Sequence, residues 1–271
     1  MPLFARRSVT GLLPASVFLA AAFVIPAAVL VRFAAGGSPE ALARQLALVW
    51  LQPYTRRALA NGVGLSFAVS AAAILLCVAP AHLMARSRFP GRGVVRVLLS
   101  LPLAFSGVIV GFLAVVMLGR VGFVPSVAVA LFHRPVGSGL AYALPGLFLA
   151  YLFFEIPRAI LSLEAAFVRI DPEIDAAARS LGAPAFQRFR RVTLPMLKPA
   201  LWATFATTFS VSLGSYGAAL VLSRRFSILP VELFQAFTAF GDDRGAAAMA
   251  MWLAAISLLV TWTTSRVQAR A

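Results

Sequence analysis

Long apolar runs, separated by short polar and arginine-bearing segments, dominate the pattern of this chain. Six of them reach the roughly 20 residues that a helix needs to cross about 30 Å of hydrocarbon. These six runs lie at 12–31, 63–84, 97–118, 140–161, 200–221 and 246–264. Shorter stretches at 45–54, 121–132 and 228–240 are expected at the membrane interface or against the bundle. The pattern predicts an all-α membrane protein with about six transmembrane helices, in one domain over 1–271.

Composition supports a membrane protein and argues against a nucleic-acid partner. Of the 271 residues, 61% are apolar and 12% are charged, whereas a soluble domain has about 45–50% apolar residues. The net charge of +15 comes from basic residues clustered between apolar runs, as in the connections of membrane helices. The first run is longer than the roughly 7–15 residues of a signal-peptide core, so it is expected to be an uncleaved span.

Single polar or reactive residues give no sign of a metal site or a disulfide. Cys77 is the only cysteine and lies within an apolar run, so it is expected to be a small buried residue. His82 and His133 are far apart and lack company suited to metal binding. No metal is therefore assigned to the chain.

The distribution of basic residues predicts which side of the membrane holds the two ends. With six spans, both ends and the connections after spans two and four share one side. That side carries 15 of the 24 lysines and arginines, and the other side carries the remaining nine. Because cytoplasmic connections are enriched in basic residues, both termini are predicted to be cytoplasmic.

The connection at 170–199 is polar and has a helical pattern, unlike the other connections. Asp171 is a suitable N-cap, Pro172 suits the first helical position, and Gly182 suits a left-handed residue after the helix. A second short helix is expected to begin at Pro184 and to end near 194–195. The sequence therefore predicts a helix, a tight turn and a helix outside the membrane.

The first of these helices carries a patch of small residues, Ala176–Ala178, with arginines 188, 190 and 191 following it. Small side chains would let another protein approach closely. An amphipathic loop resting on lipid headgroups is the alternative. The residues alone leave both interpretations open.

The order and spacing of residues in this segment resemble the cytoplasmic "EAA" signature of permeases in binding-protein-dependent ABC importers. In that family, Glu-Ala-Ala is followed after three residues by Gly, and after nine more by Ile-x-Leu-Pro. Here Ala176 stands in place of the glutamate and Val192 in place of the isoleucine, with Asp175 one position before as a substitute acid. The segment that would couple to the ATPase is therefore assigned to Asp175, Ala176, Ala177, Ala178, Gly182, Val192, Leu194 and Pro195.

Further motifs extend the resemblance over a core at 60–265. They are Asn61, Pro80, the run at 84–89, the pair at 101–102 and the run at 107–111. The resemblance implies the fold of a type I ABC importer permease in a bacterial inner membrane. It also implies three kinds of protein partner, namely cytoplasmic ATPase subunits, a second permease subunit and a periplasmic solute-binding protein.

The resemblance further implies that ATP is bound by partner subunits and that this chain is not an enzyme and has no cofactor. A P-loop requires a lysine after a glycine-rich run. The sole lysine, Lys198, lies between Leu197 and Pro199. The sequence therefore encodes no P-loop.

Candidate residues for the solute path lie in the fourth and fifth spans. The run at 212–217, reading SLGSYG, resembles a segment near the solute path of sulfate, molybdate and polyamine permeases, so Ser212, Ser215 and Tyr216 are candidates. Most other hydroxyl residues of the fifth span are assigned to helix packing. Glu155 either faces the solute or forms a structural ion pair with Arg158, one turn along the helix.

The expected solute is a polyamine, spermidine or putrescine, and sulfate, molybdate, iron or phosphonate are alternatives within the family. A channel or secondary carrier that works without an ATPase is the alternative class. Such carriers have inverted repeats and broken helices, neither of which is evident in the sequence. A membrane enzyme would need clustered His, Asp or Ser residues, and here these residues are scattered.

Overall fold

The computed structural model describes residues 3–134, 137–223 and 226–269, and all regular secondary structure in these ranges is helical. The helices are α1 Leu3–Ala35, α2 Pro39–Leu51, α3 Pro53–Arg86, α4 Arg92–Ala104, α5 Gly107–Leu118, α6 Phe123–Phe132, α7 Leu144–Arg169, α8 Pro172–Ser180, α9 Ala185–Arg188, α10 Leu194–Gly214, α11 Gly217–Leu222, α12 Leu229–Thr238 and α13 Asp243–Ala269. A 3₁₀ turn at Leu140–Tyr142 precedes α7, and a π-helical turn at Phe189–Thr193 joins α9 to α10.

Five helical segments are long and apolar enough to cross a bilayer by length and composition. They are Pro14–Ala35, Pro53–Arg86, Gly107–Phe132, Leu144–Arg169 and Asp243–Val267. The prediction of an all-α membrane protein is confirmed. The predicted fifth span, 200–221, is not among the five.

Two of the predicted spans, 97–118 and 200–221, are each interrupted. The first breaks between α4 and α5, where Phe105 is extended (φ −78°, ψ 142°) and Ser106 caps α5 by accepting the Ile109 N–H. The second breaks between α10 and α11, where Ser215 is extended (φ −72°, ψ 114°). Phe105 ends α4 and Ser215 ends α10, each in an extended conformation inside an apolar run, and a hydropathy pattern does not detect such a break.

The chain divides into two compact units, and the prediction of one domain with its core at 60–265 stays a prediction. One unit combines residues up to 56 with 233–252. Within it, the Trp50 and Trp252 rings lie 5.0 Å apart, and the Trp252 indole N–H donates to the Leu46 carbonyl over 3.4 Å. These contacts hold α2 against the first half of α13.

The other unit contains 57–232 and the residues from 253 on, and α7 runs through its core. Tyr151, Leu163 and Phe167 of α7 are almost fully buried. They share one apolar cluster with residues of α3, α5, α10 and α11. The buried Cys77 of α3 belongs to this cluster, as predicted. This unit positions both of the candidate sites.

Candidate functional site: a polar helical connection and a cavity at two helix breaks

The first half of the 170–199 segment has the predicted local structure. The Asp171 carboxylate accepts the Glu173 N–H over 2.9 Å, and Pro172 occupies the first turn of α8. Gly182 has φ +78°, and its N–H donates to the Arg179 carbonyl over 2.9 Å. The capped helix and its left-handed glycine turn are confirmed.

The second half differs from the prediction, because the backbone does not leave the helical conformation near 194–195. Arg188, Thr193 and Leu194 all have right-handed helical dihedral angles, so α9 continues through the π-helical turn into α10. The Leu194 N–H donates to the Phe189 carbonyl, five residues back. This wider turn leaves room for Pro195, whose ring would clash with a carbonyl in a regular α-helix.

An ion pair joins the two short helices. Arg188 Nε donates to Asp175 Oδ1 over 3.0 Å, and Arg188 Nη1 donates to the Ala183 carbonyl over 3.0 Å. Asp175, the substitute acid of the sequence comparison, is thus engaged within the segment. The pair links α8 to α9.

The outer surface of the segment exposes large apolar side chains. Leu181 is 87% exposed, Phe186 is 74% exposed and Ile174 is 40% exposed. Ala176 and Ala177 of α8 are also exposed. Apolar side chains on a polar loop are typical of a surface that a partner covers. We call this patch, comprising Ile174, Ala176, Ala177, Leu181 and Phe186, the docking surface.

The segment is tied to the bundle at its start. Arg86, at the end of α3, donates to the Ile170 carbonyl over 2.7 Å. The ring of His82 lies edge-on to that of Phe167, with 5.1 Å between their centroids. Movement of α8 would therefore be transmitted to both α3 and α7.

The candidate solute residues meet at a second place, a cavity of about 240 Å³ between α4, α7 and the two helix breaks. It is lined by Leu103, Phe105, Gly107, Tyr151, Phe154, Glu155, Arg158, Val211, Ser212, Ser215 and Gly217. Three of the four predicted residues, Glu155, Ser212 and Ser215, line it. Tyr216 is not among the lining residues.

The two breaks pack together through glycines. A Cβ added to Gly217 would lie 2.8 Å from the Val108 nitrogen, and one added to Gly107 would lie 3.2 Å from the Gly217 Cα. Only residues without a side chain allow this approach of two backbones. The broken helices that the sequence did not reveal thus meet beside the cavity.

Both alternatives for Glu155 have support in the geometry. Its Oε1 accepts from Arg158 Nη1 over 2.8 Å, as the ion-pair alternative requires. Its Oε2 is buried and forms no well-aligned hydrogen bond to a described residue, while the residue lines the cavity. The buried Ser212 hydroxyl lies beside this carboxylate and interacts with it. Nearby, the Tyr151 hydroxyl donates to the Ser215 carbonyl over 2.6 Å.

Sequence reasoning missed a second acid in α7. Glu164 is 4% exposed, and its Oε1 accepts from Arg92 Nη2 over 3.1 Å and also from Arg96 Nη2. Glu155 is therefore not the only acid buried in this helix. The available signal was the spacing of the arginines, four residues apart and so on one face of α4.

Long apolar helices, a cavity at two helix breaks and a polar helix–turn–helix connection are together typical of the membrane-embedded subunit of a transporter. The family described as "Binding-protein-dependent transport system inner membrane component" matches residues 79–271, and the chain belongs to this family. It is a multi-pass inner-membrane permease subunit of an ABC importer. The expected family is confirmed, and the interrupted helices do not indicate an ATPase-independent carrier.

Similar proteins include permeases that are named for molybdenum and sulfate transport. The molybdenum transport system permease protein ModB of Haemophilus influenzae is 26% identical over 220 residues, which cover 77% of this chain and 94% of that protein. The sulfate transport system permease protein CysT of Salmonella typhimurium is 31% identical over 194 residues, 70% of this chain and 68% of that protein. The expectation of a polyamine is not supported by these relatives.

A solved structure confirms the fold. A crystal structure of a bacterial ABC transporter involved in the import of the acidic polysaccharide alginate matches with a TM-score of 0.78. The match covers 100% of this chain and 99% of that chain at 16% identity. The type I permease fold therefore extends over the whole chain.

Proposed function

We propose that this chain forms the translocation path for a tetrahedral oxyanion of the molybdate or sulfate type. The relatives ModB and CysT support this class of solute, because they match 77% and 70% of this chain. A periplasmic binding protein delivers the solute, and a second permease subunit completes the path. Both termini lie in the cytoplasm.

Separate ATPase subunits drive the transport, and ATP is bound by them. The proposal of separate ATPase subunits is supported by the docking surface, where Leu181 and Phe186 are 87% and 74% exposed. A cleft in an ATPase subunit covers these side chains, and the exposed Arg190 and Arg191 lie beside it. The residues assigned to coupling, Asp175 to Ala178, Gly182, Val192, Leu194 and Pro195, belong to this segment and to its junction with α10.

Closure of the ATPase pair moves α8. Because α8 follows α7 directly and Arg86 holds the Ile170 carbonyl at their junction, the displacement reaches α7 and α3. Glu155 of α7 lines the cavity, so the same displacement alters the solute path. Rigid-body movement of packed helices is the expected form of this change.

Uptake of labelled molybdate and sulfate tests this proposal. The chain is produced together with the ATPase and binding protein of its own importer, in cells that lack their own molybdate and sulfate importers. We expect ATP-dependent accumulation of one of the two oxyanions and none of labelled putrescine. Accumulation of putrescine alone would restore the polyamine hypothesis and reject the proposed solute.

A further inference from the structure

The N-terminus of helix α5 borders the cavity, where a ligand could reach it. Gly107 is the first residue of α5, a 12-residue helix, and it lines the cavity. The first N–H groups of a helix have no acceptor within the helix and carry a partial positive charge. Such helix starts bind anions when a cavity exposes them.

Two side chains at the same cavity give independent indications of a ligand. Ser212 is 2% exposed, and its hydroxyl lies beside the Glu155 carboxylate without forming a well-aligned hydrogen bond to a described residue. A buried hydroxyl that is not fully hydrogen-bonded carries a free-energy cost that a ligand oxygen would reduce. Arg158 adds a guanidinium, which is suited to the oxygens of a compact anion.

Glu155 sets how tightly such an anion can be held. Glu155 pairs with Arg158 through one carboxylate oxygen and lies beside the Ser212 hydroxyl. An arriving anion competes with this carboxylate for Arg158 and is repelled by it. A transport site needs this balance, because the solute must leave as readily as it enters.

We propose that the start of α5, Ser212 and Arg158 form a transient oxyanion-binding site, with Glu155 as the competing group that keeps binding weak. The site rests on the proposed function and names the contacts within it. The volume of about 240 Å³ suits a compact anion with part of its hydration shell. Among the other walls, Leu103, Phe105 and Val211 are apolar.

Equilibrium binding of labelled molybdate and sulfate to the assembled nucleotide-free transporter in lipid nanodiscs tests the site. We expect Arg158→Gln to weaken binding about tenfold or more and Ser212→Ala about fivefold, as for a charged and a neutral hydrogen bond. Glu155→Gln should tighten binding about tenfold and slow uptake, because the competing charge is removed. If the ion pair were purely structural, Arg158→Gln and Glu155→Gln would instead change oxyanion binding in the same direction.

Ser210→Ala is the matched control. Ser210 lies on the same helix, and its hydroxyl is buried without a described partner, but it does not line the cavity. The Ser210→Ala transporter should bind the oxyanion as tightly as the wild type does. The yield of assembled complex is measured for every variant.

The possible outcomes distinguish failure of the proposed binding site from failure of the proposed function. Normal uptake with binding unchanged in Ser212→Ala, Arg158→Gln and Glu155→Gln would overturn the site and leave the proposed function intact. Uptake of neither oxyanion by the wild type would overturn both.

Discussion

The Glu164 cluster gives a quantitative test of how α4 is held in the bundle. No described residue of α4 is fully buried, so the ion pairs with α7 attach this helix to the bundle together with the partly buried Leu99. Glu164→Gln removes the charge that Arg92 and Arg96 share while keeping the shape of the side chain. Loss of one partner from a fully buried pair costs about 3–5 kcal/mol.

Here the cost is smaller, because the arginines are partly solvated. The Arg92 and Arg96 side chains are 29% and 51% exposed, whereas that of Glu164 is 6% exposed. Water can therefore hydrate the arginines after the change, and we expect a loss of about 1–3 kcal/mol. Arg96→Gln should cost less than Glu164→Gln, because Arg92 still pairs with the carboxylate.

Thermal unfolding of the purified permease in detergent measures these differences, with the exposed Glu173→Gln as a control for loss of one negative charge. The expected order of stability is wild type and Glu173→Gln, then Arg96→Gln, then Glu164→Gln. A Glu164→Gln protein that unfolds at the wild-type temperature would show that the cluster does not hold α4.

Three further predictions concern the turn, the ion pair of the segment and the glycine contact. Gly182→Val should abolish uptake but leave membrane insertion normal, since a β-branched residue in a left-handed conformation is strained by about 1–2 kcal/mol. Gly182→Asn should retain part of the uptake. Equal uptake by the two variants would show that residue 182 does not need a left-handed conformation. Asp175→Asn should lower uptake per ATP hydrolysed, because Arg188 no longer fixes the two short helices, and an unchanged ratio would contradict that role. Gly217→Ala should reduce the yield of folded protein while Gly214→Ala, which has no atom within 4 Å of an added Cβ, should not; equal yields by size-exclusion chromatography would refute the close contact.

Features encoded in a few consecutive residues were predictable from the sequence. Asp171, Pro172 and Gly182 each specify a cap or a turn through their own chemistry, and the structure has all three as expected. The apolar runs also specified an all-helical membrane protein, because the bilayer requires long helices whose backbone groups bond internally.

Features that depend on packing were not predictable in the same way. The breaks at Ser106 and Ser215 lie within apolar runs, and the glycine contact that accommodates them joins residues about a hundred positions apart. Pro195 was expected to end a helix, but a π-helical turn accommodates it. The partners of Glu164 lie on another helix, so no local pattern identifies them.

Cross-linking of a cysteine at residue 177 to the ATPase subunit tests the central claim, that the docking surface couples this permease to ATP hydrolysis. The variant is Ala177→Cys, made in a Cys77→Ser background. The control is Ser138→Cys, at an exposed residue in the connection between Gly107–Phe132 and Leu144–Arg169, which is predicted to face the periplasm. We expect residue 177 to cross-link to the ATPase, with a yield of cross-linked product that changes when ATP binds, while residue 138 reacts only with an impermeant thiol reagent added outside. Labelling of residue 177 from the periplasm, with no cross-link to the ATPase, would contradict the account.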